Sequence, residues 1–301
     1  MDRSDIESAL DTVIEEFPFG RQYVAGKREW IHTIIKQIDS HTSIGDSILS
    51  VGCGPCDIEA VLSQLGYDVT AVDDLNDQWH LIGNNQTRIR EFADKMGIDL
   101  IVASAGEGLP SDDYDLVTAI EVLEHVDSPR VFLNDCVNSL ATGGTILVTT
   151  PNSVRLTNRI RTLFGRSTGV GAGFIYWNIG KFRSHIKEYT PSELEQIAEY
   201  TGLTNINIEL KTLTPKKAQE QTDSYLIKML LTLYQVVTRI RPTFRDKQIL
   251  TGKKPVTWKS TEASIEQFSR YYPHMANYNL DNVNDDEIKD AIFSAHKNED
   301  S

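Results

Sequence analysis

Short apolar runs alternate with longer amphipathic segments through the middle of the chain. "DSILSVG" (46 to 52) is an apolar stretch of strand length that ends in glycine. "CDIEAVLSQLG" (56 to 66) spaces its apolar residues as a helix does and stops at a glycine, and "YDVTAVDD" (67 to 74) is β-branched and ends in two acids. The same alternation predicts a helix over 84–97 and strands over 98–104 and 114–122. A helix over 128–140 follows, then the turn "ATGG" and a strand over 145–150 closed by Pro151. Thr190, with Glu193 three residues on, marks the start of a further helix that a glycine ends at position 202. "TNINIEL" (204 to 210) and "KQILTGKK" (247 to 254) read as the last two strands. Strands alternating with helices predict an α/β, largely parallel, doubly wound sheet. Such sheets bind ligands beyond the carboxyl ends of their strands, where strand order reverses.

Composition narrows the class. A chain of 301 residues with 40% hydrophobic content supports one main domain with embellishments. No run approaches the roughly 18–20 apolar residues of a membrane span, and the start "MDRSDIESAL" is acidic where a signal peptide is basic, so a cytoplasmic location is expected. Three cysteines cannot build a disulfide framework, and no Cys/His spacing resembles a structural zinc site. The formal charge of -13 argues against general nucleic-acid binding, which needs a surplus of cations to neutralise phosphates. That charge is uneven: residues 153–260 carry 18 Lys/Arg against 8 Asp/Glu.

The chemistry concentrates at two strand ends. Gly52 and Gly54 lie 21 and 19 residues before Asp73, the separation at which a glycine turn and an acid hold the two ends of an adenosine-bearing ligand. The third glycine of a nicotinamide-binding turn would fall at Asp57 and is absent. The same turn spells C-G-P-C, a redox tetrapeptide. Its flanks, Gly52 and Asp57, are not those of a thioredoxin-like site, and a neighbouring carboxylate opposes thiolate formation, so a redox role is not expected.

Taken in order, "ILSVGCGPCD", "VTAVDD", "GEGLPSDDYDLVTAIEVLEHVDSP", "GGTILVTTPN" and "HIKEYTPSELEQIAEYTGL" resemble the class I S-adenosylmethionine-dependent methyltransferases over roughly residues 45–255. The pattern is nearest to glycan-, lipid- and quinone-pathway O-methyltransferases. The resemblance implies a Rossmann-like sheet of about seven strands, mostly parallel with an antiparallel last strand, plus an inserted helical lid. It implies that Gly52 and Gly54 line the methionine and ribose of S-adenosyl-L-methionine, that Asp73 holds the ribose hydroxyls, that Ala105 and Glu107 flank the adenine, and that Ile120 and Glu121 form the floor beneath the sulfonium. Three positions depart from the family: Ser50 stands where an acid is usual, Cys56 where a third glycine is usual, and Ala105 where an Asp commonly binds the adenine amino group.

Methyl transfer from a sulfonium needs alignment first and a base only for a poor nucleophile. His125 and His185 are the candidate catalytic bases. Glu121, Glu124 and His125 have i, i+3, i+4 spacing, and with His185 they form a reasonable set for a divalent cation. "EVLEHV" also occurs in metal-free methyltransferases, so the set is read as pocket-shaping, with no metal ligand assigned.

Residues 152–187 hold seven Lys/Arg, no Asp or Glu, and the aromatics Phe164, Phe174, Tyr176, Trp177 and Phe182. As a lid (152–190) this segment suits an anionic sugar, glycan or lipid-linked small-molecule acceptor. An amphipathic helix inserted over 222–242 is apolar over most of its circumference. Three covers for residues 225–245 are open: the domain itself, a second copy in a homodimer, or a membrane interface that would make the protein peripheral there. Residues 1–45 are expected as a helical cap and 256–301 as a polar tail around the 46–255 domain. Two rival functions stand beside O-methylation of an anionic acceptor: a metal-assisted RNA-end or quinone-precursor methyltransferase, and a non-catalytic scaffold that only binds the cofactor.

Overall fold

The computed structural model describes residues 1–104, 108–111, 113–169, 185–213 and 222–261. Its sheet has seven strands in the order β3-β2-β1-β4-β5-β7-β6. They are β1 (Ser47–Val51), β2 (Asp68–Asp73), β3 (Asp99–Val102), β4 (Tyr114–Ile120), β5 (Leu140–Pro151), β6 (Thr204–Lys211) and β7 (Lys247–Lys253). Strands β1 to β5 pair in parallel, and β7 runs antiparallel to both β5 and β6, as expected. Burial on both faces explains the continuous apolar runs: Ile48 points into one core layer, Leu49 and Val51 into the other.

One layer is built by α1 (Arg3–Glu16), α3 (Arg28–Asp39), α4 (Asp57–Gln64) and α5 (Asn85–Met96), with Leu10, Ile31, Ile35, Leu62 and Ile89 fully buried. The short α2 (Arg21–Ala25) joins the first two, so the N-terminal segment is helical as expected. The opposite layer uses α6 (Pro129–Asn138) and α8 (Pro191–Tyr200), through Phe132, Leu133, Leu194 and Ala198. The expected start of α8 is present. Thr190 accepts from the Glu193 N–H, and the Glu193 carboxylate accepts from the Thr190 N–H. Two further helices, α7 (Leu156–Leu163) and α9 (Tyr225–Ile240), follow β5 and β6.

Two boundaries differ from the sequence reading. "ATGG" lies within β5, because Leu140 already pairs with Tyr114 before the register shifts to Leu116 opposite Thr145. Strand β4 stops at Ile120 instead of running to 122, because Glu121 adopts φ +59, a left-handed conformation that leaves the strand. A 3-10 turn, Leu123–His125, follows.

Strand order reverses between β1 and β4. From β1 the chain winds through β2 to β3, and from β4 through β5 the other way. The carboxyl ends of β1 and β4 therefore open onto one crevice.

Candidate active site

The turn after β1 is shaped by three left-handed residues: Gly52 at φ +75, Gly54 at φ +55 and Cys56 at φ +61. Cys56 thus occupies a backbone state suited to glycine, which supports its reading as a replaced glycine. A Cβ on Gly52 would lie 2.5 Å from a methyl of Val122, so this turn and the turn after β4 are in direct contact. Nothing lies within 4 Å of the corresponding position at Gly54.

Asp73, at the end of β2, reaches this turn. One carboxylate oxygen accepts the Gly54 N–H at 2.8 Å and the other the Leu75 N–H at 2.7 Å. Each oxygen keeps a lone pair for a hydroxyl. Burial pushes the carboxyl above its ordinary value. His80 lies 1% exposed in the loop after β2, in the field of Asp73, with neither ring nitrogen hydrogen-bonded. Unpartnered buried polar atoms beside a glycine turn and an acid fit a polar ligand such as the cofactor's nucleoside.

The cysteines face away from redox chemistry. Their sulfurs are 3.5 Å apart and buried, and that contact together with burial pushes the Cys53 thiol well above its ordinary range. Ser50 donates to Glu59 Oε1 at 2.5 Å, so α4 returns to the end of β1 the carboxylate that the family pattern places there. Burial raises Glu59 to about 7. Sequence reasoning missed Glu59, and it missed Lys27. Lys27 reaches across from the N-terminal helices to pair with buried Asp57, the first residue of α4, at 3.1 Å. Nearby in the N-terminal helices, Arg28 is held by Glu7 and Asp11, Tyr23 lies under the Lys27 ammonium, and Arg21 is exposed.

Beyond β4 the chain assembles a second group. Glu124 is 1% exposed and neither of its carboxylate oxygens has a hydrogen-bond partner. Burial raises its carboxyl. His125 and His185 meet edge to face with ring centroids 4.8 Å apart. The Glu124 carbonyl accepts from the Ile186 N–H at 2.7 Å, which pins the distant His185 segment to this turn. His185 Nδ1 lies 2.9 Å from Glu188 Oε1, while Nε2 lies 4.0 Å from Glu124 Oε1. Glu188 is clamped by both Arg155 nitrogens, at 2.7 and 3.2 Å. Burial alone would raise its carboxyl, but the hydrogen bonds from His185 and Arg155 hold it down at about 2. The hydrogen bond to Glu188, with the charge of Glu124 and Glu188, raises the His185 imidazole above its ordinary value, and Nε2 faces Glu124.

One donor atom each from Glu124, His125 and His185 lies within 4.8 Å of the others. Ligands bound at about 2.1 Å sit at most about 4.2 Å apart, so closing on a divalent cation needs roughly half an ångström of adjustment. The orphaned carboxylate and the oriented imidazole fit such an ion. Glu121 does not join the set, contrary to the four-residue grouping. Its backbone turn sends the carboxylate to the Thr149 hydroxyl, 3.0 Å away, and to the Lys247 ammonium. Burial lowers Lys247 to about 8 against the pull of that carboxylate.

Ile120 is half-buried at the end of β4, the strand that pairs with β1. Ala105 and Glu107 lie outside the described residues, as do Phe174, Tyr176, Trp177, Lys181, Phe182 and Arg183 of the expected lid.

A glycine turn and an acid at the ends of adjacent parallel strands, next to a carboxylate-imidazole group across the switch point, define a nucleoside-binding Rossmann-like transferase. A family profile described as "Methyltransferase domain" matches residues 22–208, and the chain belongs to that family. It is a class I S-adenosylmethionine-dependent methyltransferase. Similar curated proteins include two named ubiquinone biosynthesis O-methyltransferase. The one from Rickettsia felis is 29% identical over 60% of this chain and 68% of its own length. The one from Psychrobacter arcticus is 28% identical over 54% of this chain and 61% of its own length. Among solved structures, phosphoethanolamine N-methyltransferase 2 of Haemonchus contortus has the same fold. It is 18% identical, with a TM-score of 0.51 over 81% of this chain and 57% of that one.

Proposed function

We propose that this methyltransferase O-methylates a hydroxyl of a small acceptor of the quinone-precursor type, with a divalent cation held by Glu124, His125 and His185. The buried Glu124 carboxylate, with both oxygens unpartnered beside two imidazoles, carries this reading. An empty pocket wall would not leave a charge-bearing group so exposed to desolvation. The names of the curated relatives support the acceptor class.

Gly52, Gly54 and Asp73 would hold S-adenosyl-L-methionine, which supplies an electrophilic methyl group on a sulfonium. Val122 against Gly52 ties that turn to the one bearing Glu124 and His125, so acceptor and methyl share one crevice. A cation at the triad would bind the acceptor oxygen and lower its pKa. With Nδ1 held by Glu188, Nε2 is the atom through which His185 would hold the cation, and the acidified hydroxyl would give its proton to water. An anionic sugar or glycan acceptor finds less support, since Arg155 is already neutralised by Glu188.

Transfer of labelled methyl to an ortho-dihydroxybenzene tests the reading. Activity should vanish after exhaustive chelation and return on adding Mg²⁺, Mn²⁺ or Zn²⁺, and Glu124→Gln should lose it while retaining cofactor binding. Undiminished activity after chelation would remove the cation, and label entering only glycans from a cell extract would remove the acceptor class.

A further inference from the structure

Helix α9 carries an exposed apolar stripe. Leu226, Met229, Leu230, Leu233, Val236 and Ile240 recur at the i, i+3, i+4, i+7 spacing of a single stripe, and all six are exposed, from 45% at Val236 to 79% at Ile240. The side turned to the domain mixes apolar and polar residues, with Leu231, Tyr234, Gln235 and Val237 half-buried. Thr238 is its one buried residue among those described, the Tyr234 hydroxyl bonds to Asp246, and the Thr238 carbonyl accepts from Arg245 Nε at 3.2 Å. Of the three covers open to this apolar face, the described residues of the domain do not supply one.

The neighbouring α7 repeats the pattern. Ile160, Leu163 and the following Phe164 are exposed, at 46%, 81% and 74%. The segment before α7 meets the segment after α9. Asn152 donates to the carbonyls of Thr243 and Arg245, and Arg159 lies 5.1 Å from the Phe244 ring.

Charge selects the occupant. Residues 152–169 and 224–245 contain no Asp or Glu, but they do contain Arg159, Arg161, Arg166, Lys228, Arg239 and Arg241, in a chain whose formal charge is -13. A second copy of this face would set cations against cations. An anionic bilayer instead offers apolar depth for the stripe and phosphates for its flanks. Among the described residues no helix is long and apolar enough to cross a membrane, so the helix would lie in the interface plane.

We propose that α9, with α7 beside it, docks this methyltransferase on an anionic lipid surface. The stripe sinks below the headgroups while Lys228, Arg239 and Arg241 engage lipid phosphates.

Flotation of the full chain with vesicles of phosphatidylglycerol and phosphatidylcholine in equal parts tests this. The protein should float with them, much less with phosphatidylcholine alone, and less as salt rises. Leu230→Glu with Leu233→Glu should lower the bound fraction about tenfold, and Arg239→Gln with Arg241→Gln by about tenfold or more. Both double variants should keep the cofactor affinity and the melting temperature of the parent, since none of the four side chains is buried. Three results would overturn the proposal: no flotation of the parent chain, equal flotation with neutral vesicles, or a concentration-dependent dimer abolished by the leucine changes without any vesicle binding.

Discussion

Replacing Gly52 with alanine adds one carbon at the point where the cofactor turn meets the turn after β4. Two separate costs follow. At φ +75 an L-residue is about 1–2 kcal/mol less stable than glycine. The new Cβ would also lie 2.5 Å from one Val122 methyl, and the other methyl at 3.2 Å and the Val122 Cβ at 3.5 Å leave little room for rotation to relieve it. Overpacking of this kind costs about 1–3 kcal/mol. The sum, roughly 2–5 kcal/mol, is large against the stability of a single domain. Val122→Ala removes the overlap but not the backbone cost. In a double-mutant cycle the pair should therefore be less destabilised than the sum of the singles by about 1–3 kcal/mol. Urea unfolding of the four proteins, with a common slope, measures the coupling, and calorimetric titration with S-adenosyl-L-methionine reports the turn. Gly52→Ala should weaken cofactor binding and Val122→Ala should restore part of it. Strict additivity, or an unperturbed Gly52→Ala protein, would refute the contact.

Cys56→Gly should retain cofactor binding. The relief of a left-handed residue, about 1 kcal/mol, offsets the lost packing of a buried sulfur, so urea midpoints should change little. Glu59 has a folded-state value of about 7 against an ordinary 4.5, so the native state holds its proton more tightly than the unfolded chain. Its contribution is fully present below pH 4.5 and is lost as pH rises towards 7, on the order of 2–3 kcal/mol; Glu59→Gln should flatten that part of the stability profile, and an unchanged slope would count against it. Lys27→Met leaves Asp57 buried without its cation and should destabilise by about 3 kcal/mol, with Asp57→Asn in the same chain restoring much of it in thermal melts.

Strand and helix alternation was legible because both faces of the sheet are buried, which leaves uninterrupted apolar runs such as "SILSV". The glycine turn after β1 was legible for a different reason. Left-handed backbone and an acid about 20 residues on are local requirements that only a few residue types satisfy, and even the substitution at Cys56 could be read as one of them. Glu121 shows where such reading stops. Its spacing to Glu124 and His125 promised one helical face, but a single left-handed residue turned its carboxylate to Thr149 and Lys247. Lys247 lies 126 positions away, and no local pattern announces such a partner. The same limit hid Glu59, whose role appears only once α4 folds back to Ser50.

By itself, then, the sequence determined the sheet, the glycine turn after β1 and the class of reaction, because each depends on neighbours within one strand-helix unit. Tertiary structure alone decided three further matters: that Glu124, His125 and His185 meet, that Glu121 leaves them, and that α9 turns its apolar stripe outward. Each depends on which surface a segment is pressed against, and the amphipathic pattern of a helix states that one face must be covered without saying by what.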